Sequence, residues 1–139
     1  MRLTLHTDYA LRVLISLAVA QDRRHTIEAI SQRHGVSNNH LMKVNGVRGR
    51  NGGLELARPP EEIRVGEVVR VCEDNFALVD CFDASRNRCL LTPACGLRGP
   101  LEEALAAFIG VLDRYSLADL IARPGQQKEL RQLVFPAET

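Results

Sequence analysis

The sequence predicts a mainly α fold with a small β wing: a winged helix-turn-helix domain, then a cysteine loop and a long dimerisation helix. Three observations carry that prediction. Two short helical runs meet at Gly35, an arginine-bearing hairpin turns at Asn51-Gly52-Gly53, and a long apolar stripe follows a loop rich in cysteine. With 139 residues, 45% hydrophobic and 25% charged, the chain is expected to be one soluble globular domain, or one domain with an appendage.

From Leu3 to Ala20 apolar residues recur at three- and four-residue steps, the stripe of an amphipathic helix opened near Thr4 or Thr7. Asp8 falls in its first turn, where a carboxylate favours the helix dipole, so the plain reading of Asp8 is a capping charge. Thr26 to His34 forms a second helix, N-capped by Thr26 and stopped by Gly35. Ser37 caps a third, Asn38 to Val44, whose outer face is small, polar and basic. Val47 to Leu56 then reads as a hairpin, with Arg48 and Arg50 before the turn and Arg58 after it. Behind a helix-turn-helix a basic hairpin is a wing, able to lay guanidinium groups on phosphates or in a minor groove; the alternative is a solvated hairpin whose arginines serve solubility.

Pro59-Pro60 closes this first unit, giving a DNA-reading domain over residues 1–60 and a second unit over residues 61–139. The second unit opens with a helix from about Val65 to Glu73. No periodicity follows until Pro100, which is expected at the first position of a helix running to about Tyr115, with Glu102 and Glu103 in its first turn. So long a stripe on so small a chain predicts packing against a second copy, and a two-fold dimer places two recognition helices at half-site spacing; the alternative is that the helix lies on its own domain. Ser116 to Asp119 is a capping-type start for one more turn, and the apolar residues from Leu130 to Phe135 suggest a short docking helix.

The net charge of +1 argues against nucleic acid as a partner until it is divided. Residues 1–58 hold nine Arg/Lys against four Asp/Glu, and residues 59–139 hold nine against thirteen, so the basic half is the proposed reader. No leader opens the chain, and its longest near-apolar run, Val13 to Ala20, is far below the roughly 20 residues that cross a bilayer, so a cytoplasmic protein with no membrane partner is expected.

All four cysteines fall between Cys72 and Cys95. In a reducing cytosol clustered thiols read as metal ligands or redox centres before disulfides. Cys81, Cys89 and Cys95 lack paired CxxC knuckles and have no nearby histidine, and no Cys/His or CxxC arrangement supports catalysis, so no enzyme is expected. Three thiolates on a loop punctuated by proline and glycine can hold three corners of an iron-sulfur cluster; zinc with an outside ligand, or free thiols, are the alternatives.

Thr7-Asp8-Tyr9-Ala10-Leu11-Arg12, Gly35 to Leu41, Val47 to Gly53, Thr92-Pro93-Ala94-Cys95 and Leu112 to Leu120 together resemble the winged-helix iron-sulfur regulators of bacteria, and within them the nitric-oxide-sensing repressors. The resemblance spans roughly residues 1–121. It implies an iron-sulfur cluster, 4Fe-4S rather than 2Fe-2S, held by Cys81, Cys89 and Cys95. The cluster-assembly members of the group carry a histidine three residues after the third cysteine, where this chain has Arg98; the nitric-oxide sensors use an aspartate of the first helix, which carries over to Asp8, from its own chain or a partner's. Cys72 matches no ligand position and is expected to be a buried apolar thiol. The implied partners are a promoter operator in double-stranded DNA, nitric oxide and a second copy of the chain. The implied DNA contacts are Ser37, Asn38, Asn39, His40 and Lys43 from the helix-turn-helix, with Arg48, Arg50 and Asn51 from the wing. Two other readings stay open: a regulator of the same fold sensing iron, cluster status or redox, and a cluster- or thiol-bearing interaction module that does not bind DNA.

One departure stands out. Family members continue the recognition helix beyond Lys43-Val44 and add a short strand, whereas here Val44-Asn45-Gly46-Val47 passes almost directly to the wing, short by roughly a dozen residues. Either the recognition helix is truncated or a stretch is missing from the sequence as read. We favour the missing stretch, because the strand of Leu54 and Leu56 would otherwise have almost no partner.

Overall fold

Thr4 opens the first helix, α1 (Leu5–Ala18), from an extended backbone, its hydroxyl accepting from Thr7 N at 3.4 Å. The computed structural model describes residues 1–37, 47–50 and 53–136, leaving aside the side chains of Arg48 and Arg50. The expected third helix, from Asn38 to Val44, lies outside the described residues. Helix α1 buries more than a stripe. Ala10, Leu14 and Ala18 belong to one core cluster, Val13 and Leu17 to a second, so the two cores share this helix.

A two-residue strand, β1 (His25–Thr26), which the sequence pattern does not announce, leads into α2 (Ile27–His34). Thr26 caps α2 through Ala29 N at 3.0 Å, and Gly35 ends it with φ +65°, a left-handed conformation that favours glycine. Strands β2 (Val47–Arg50) and β3 (Gly53–Leu56) form the wing, and β3 is the centre of a three-stranded antiparallel sheet ordered β1-β3-β2. Val47 faces Leu56, Arg48 Glu55, Gly49 Leu54 and Arg50 Gly53, while His25 faces Leu54 on the other side. The strand of Leu54 and Leu56 therefore has partners on both edges, and the physical ground for expecting a missing stretch before the wing falls away.

Helix α3 (Val65–Cys72) lies between two neighbours. Val68 and Cys72 face the α1 core, and Val65 and Val69 pack with Ile109 of α4 (Arg98–Asp113). Cys72 is buried as expected and forms no disulfide. A Cβ at Gly66 would lie 1.8 Å from Asp113 Oδ1, so glycine permits the close approach of these helices, which the Arg70 guanidinium fastens by a fork onto Asp113 (Nη2 to Oδ2 2.6 Å).

Helix α4 begins two residues before the expected Pro100 and ends at Asp113 rather than Tyr115. Pro100 is tolerated inside the first turn because N–H groups there have no intrahelical acceptor, and the first helical pair is Arg98 to Glu102 at 2.9 Å. The early stop has a cause: Tyr115 O accepts from Val65 N at 3.0 Å and Leu117 N donates to Ile63 O at 2.8 Å, so strand-like pairing draws the chain out of the helix. Ser116 and Asp119 then cap each other reciprocally, Ser116 N to Asp119 Oδ2 2.8 Å and Asp119 N to Ser116 Oγ 3.2 Å, as the capping signal anticipates. After Gly125, with φ +78°, α5 (Gln126–Val134) returns to α1, and Val134 packs on the cluster that contains Leu54 of β3. Among the described residues no helix is long and apolar enough to cross a membrane.

Candidate functional site

The expected DNA contacts are only partly placed. Ser37 is exposed just beyond the turn, where Val36 is buried and its N–H donates to Ser31 O at 3.1 Å. Arg48 and Arg50 stand on β2, in register with Glu55 and Gly53. Asn38, Asn39, His40, Lys43 and Asn51 lie outside the described residues. The central wing strand is steadied from the α1–β1 turn, where Arg24 Nε reaches Glu55 Oε2 at 3.4 Å.

Between α3 and α4 the cysteine loop has two 3-10 turns and no buried residue. Cys81 sits in the first turn (Asp80–Phe82), half-buried. Cys89 is exposed, its N–H donating to Asn87 Oδ1 at 3.0 Å, and the half-buried Cys95 accepts from Leu97 N on its sulfur at 3.4 Å. The three thiols are accessible and in no disulfide. Among the described residues no three His, Cys, Asp or Glu side chains gather closely enough to hold a metal ion, so the chain alone does not bring Asp8 and the three cysteines together. The donor set fits an iron-sulfur cluster chemically: soft, accessible sulfurs on a loop with little packing to resist rearrangement.

Asp8 is in the first turn of α1, yet Thr4 does the capping. Its carboxylate is held instead by a fork from Arg12, Nε to Oδ1 2.9 Å and Nη2 to Oδ2 2.8 Å, and Arg12 also lies 5.5 Å over the Tyr9 ring. Both partners are about half exposed, and pairs of that kind contribute at most about 1 kcal/mol. A stronger ligand interaction can therefore take the carboxylate from Arg12.

Sequence reasoning passed over Glu73, the first residue after α3. Its carboxylate accepts from Thr4 N at 3.0 Å, from Thr4 Oγ1 at 2.6 Å and from Thr7 Oγ1. In a local capping box a Glu three residues after the cap accepts the cap's N–H. Here Thr7 occupies that position, and Glu73 supplies the missing acceptor from the root of the cysteine loop. Burial opposes its ionisation, but the hydrogen bonds from Thr4 and Thr7 outweigh that and hold the carboxyl below its ordinary value. The available signal was a Thr-x-x-Thr start, with threonine rather than a carboxylate at the capping-box position.

A part-buried contact joins α1 to α2. Ser16 Oγ donates to Arg12 O at 2.8 Å and lies 2.7 Å from His34 Nε2. With the hydroxyl proton given to Arg12 O, Nε2 is the donor to Ser16 Oγ. Burial first, then the charges of Arg12 and Arg33, hold the His34 pKa below its ordinary value.

Comparison with known proteins agrees with this architecture. The profile of the Rrf2 family, described as an iron-dependent transcriptional regulator, matches residues 3–123. The HTH-type transcriptional regulator NsrR of Bacillus subtilis (strain 168) is 47% identical over 132 positions, spanning 87% of this chain and 90% of that one. NsrR of Bacillus licheniformis is 44% identical, over 96% of this chain and 99% of that one. Among solved structures, CymR of B. subtilis, called its global cysteine regulator, superposes with TM-score 0.65 at 21% identity, covering 88% of this chain and 98% of that one, a likeness of fold. The chain belongs to the Rrf2 family of transcriptional regulators.

Proposed function

We propose that this regulator is a cytoplasmic homodimeric repressor that binds a promoter operator in double-stranded DNA and releases it on exposure to nitric oxide. The observation that carries the reading is the cysteine loop: three accessible thiols in a segment with no fully buried residue. Cys81, Cys89 and Cys95 would hold an iron-sulfur cluster, 4Fe-4S rather than 2Fe-2S, with Asp8 as fourth ligand, and the bound cluster supplies a centre reactive toward nitric oxide. This chain's residues have two tasks. The loop must fold onto its ligand, which the absence of buried side chains makes inexpensive in packing, and Asp8 must leave Arg12, which its exposed ion pair permits.

The dimer reading is supported by α4. Leu105, Phe108, Ile109 and Leu112 lie against the α3 cluster, while Leu101, Ala104 and Val111 stand on another face of α4, with Leu97 and Tyr115 just beyond its two ends. Ala104 and Val111 on that face are exposed, as are Leu97 and Tyr115 at its ends, an uncovered apolar edge that a second copy could bury. The reading head would comprise residues 1–60, with Ser37, Asn38, Asn39, His40 and Lys43 toward the major groove and Arg48, Arg50 and Asn51 on the wing.

Anaerobic purification tests the reading. A brown protein bleached by nitric oxide, losing its colour in each of Cys81→Ala, Cys89→Ala and Cys95→Ala, is expected, and a colourless anaerobic protein with stoichiometric zinc overturns it. Operator binding that weakens with salt and is lost in Lys43→Ala or Arg48→Ala is expected; full binding in both variants refutes the assigned contacts.

A further inference from the structure

We propose that the C-terminal segment 126–136 is a brace of the DNA-reading head, holding α2, and through Gly35 the start of the recognition segment, in the orientation that meets DNA. The segment lies beyond residue 123, where the family match stops, and outside the head as sequence delimits it. Yet Phe135 is 8% exposed within the core cluster of Val13, Leu17, Ile30, Val36 and Leu54. Its ring stacks on that of buried His25 in β1, centroids 4.1 Å apart and planes at 18°. A residue so placed joins α1, α2 and the central wing strand as one unit, although it is remote from all three in sequence.

Two polar contacts fix the same segment from outside. Arg131 makes a fork onto Asp22 in the α1–β1 turn, Nη1 to Oδ1 2.9 Å and Nη2 to Oδ2 3.1 Å. Arg33, in the last turn of α2, donates from Nε to Leu133 O at 2.9 Å. That carbonyl lies at the C-terminal end of α5, where carbonyls have no intrahelical donor and the dipole favours a cation. The other end of the brace is tied down too. Gln126 Nε2 donates to Leu120 O at 2.9 Å, and Leu130 packs on the cluster shared by α1 and α3. The chain thus runs from α4 through the Ser116–Ile121 turn into α5 and back onto α2, a mechanical route from the proposed dimer seam to the reading head that bypasses the cysteine loop.

The DNA consequence rests on the proposed function; the mechanical claim does not, and the two are measured apart on the full-length protein. Hydrogen exchange is followed in Phe135→Ala, which removes the core anchor, and in Arg131→Glu, which breaks the outer pair without touching the core. Exchange across β1, α2 and β3 is expected to rise at least about tenfold in the first, because a local anchor is lost. In the second it is expected to rise about threefold, the scale of an exposed pair. Amides of α3 and α4 are expected to stay as in the wild type. Operator affinity is expected to fall in the same order with an unchanged salt slope. Wild-type exchange in α2 in both variants overturns the brace, as does operator binding equal to or tighter than wild type in a variant whose head exchanges faster. If the wild-type protein binds no operator, the functional reading fails and exchange alone decides the brace.

Discussion

The reading head and the cysteine loop are built in opposite ways. In the head, Val13, Leu14, Ile30 and Leu54 are fully buried, from three elements separated along the chain. In the loop from Asp74 to Leu97 nothing is buried, and Leu90 and Leu91 are 94% and 68% exposed. The head takes its shape from packed apolar residues, several of them supplied from beyond residue 60, whereas the loop is shaped by turns, a few polar contacts and the packing of Phe76 on the cluster of α3 and α4. A segment that carries three thiols and leaves its leucines in solvent is suited to take its final form from a ligand or a second copy rather than from the chain. The largest expected effect follows directly. Leu14→Ala removes a fully buried side chain between α1 and α3 and is expected to destabilise the protein by about 2–5 kcal/mol in urea unfolding. Leu90→Ala is expected to change stability by no more than about 0.5 kcal/mol. Comparable losses at the two sites would break the contrast.

How much of this was legible in sequence divides along the same line. The caps at Thr4 and Thr26, the Gly35 stop and the reciprocal Ser116–Asp119 pair depend on residues within four positions of one another, and each falls where pattern reading puts it. What sequence could not give depends on distant partners. Strand β1 exists because Leu54 and Gly53 face it, and α4 stops early because Val65 N takes the Tyr115 carbonyl. Glu73 caps a helix 69 residues away, and Phe135 enters a core to which its neighbours in sequence give no clue. The cysteines show the reverse: their residue type and clustering were plain in sequence, while the described chain does not gather them with Asp8 into one group.

Glu73 sharpens the comparison, since it stands at the border. It is the loop-side residue on which the head depends, joining α1 to the end of α3 through Thr4 and Thr7. Glu73→Gln is expected to cost on the order of 1 kcal/mol near neutral pH, the scale of a lost helix cap. Asp83, inside the loop, accepts from Ser85 N at 3.0 Å and Ser85 Oγ at 2.6 Å, contacts so local that Asp83→Asn is expected to leave global stability unchanged. The Glu73 contribution has a pH signature. Its folded carboxyl lies below the ordinary 4.5, so its stabilisation is present above 4.5 and lost as pH falls through the folded value. Urea unfolding curves of wild type and Glu73→Gln are therefore expected to differ at neutral pH and to converge in acid; a constant offset at every pH would remove the carboxylate from the account.

The smallest effect lies inside the head. His34 donates from Nε2 to Ser16, whose own proton goes to Arg12 O, so protonation would add charge at Nδ1 in a half-buried ring already disfavoured by burial and by the Arg12 and Arg33 guanidinium groups. A histidine whose folded pKa is lowered stabilises the fold while it is neutral. That contribution is complete above the ordinary 6.5 and is lost as pH falls below it, because the unfolded chain takes up the proton first. The melting temperature is expected to fall between about pH 7.5 and pH 5.5, and His34→Gln, which keeps a donor but cannot titrate, is expected to flatten that fall. An unchanged slope in His34→Gln would mean that the acid sensitivity in this range arises outside the head, and the division between a packed head and a sparsely packed loop would have to be redrawn.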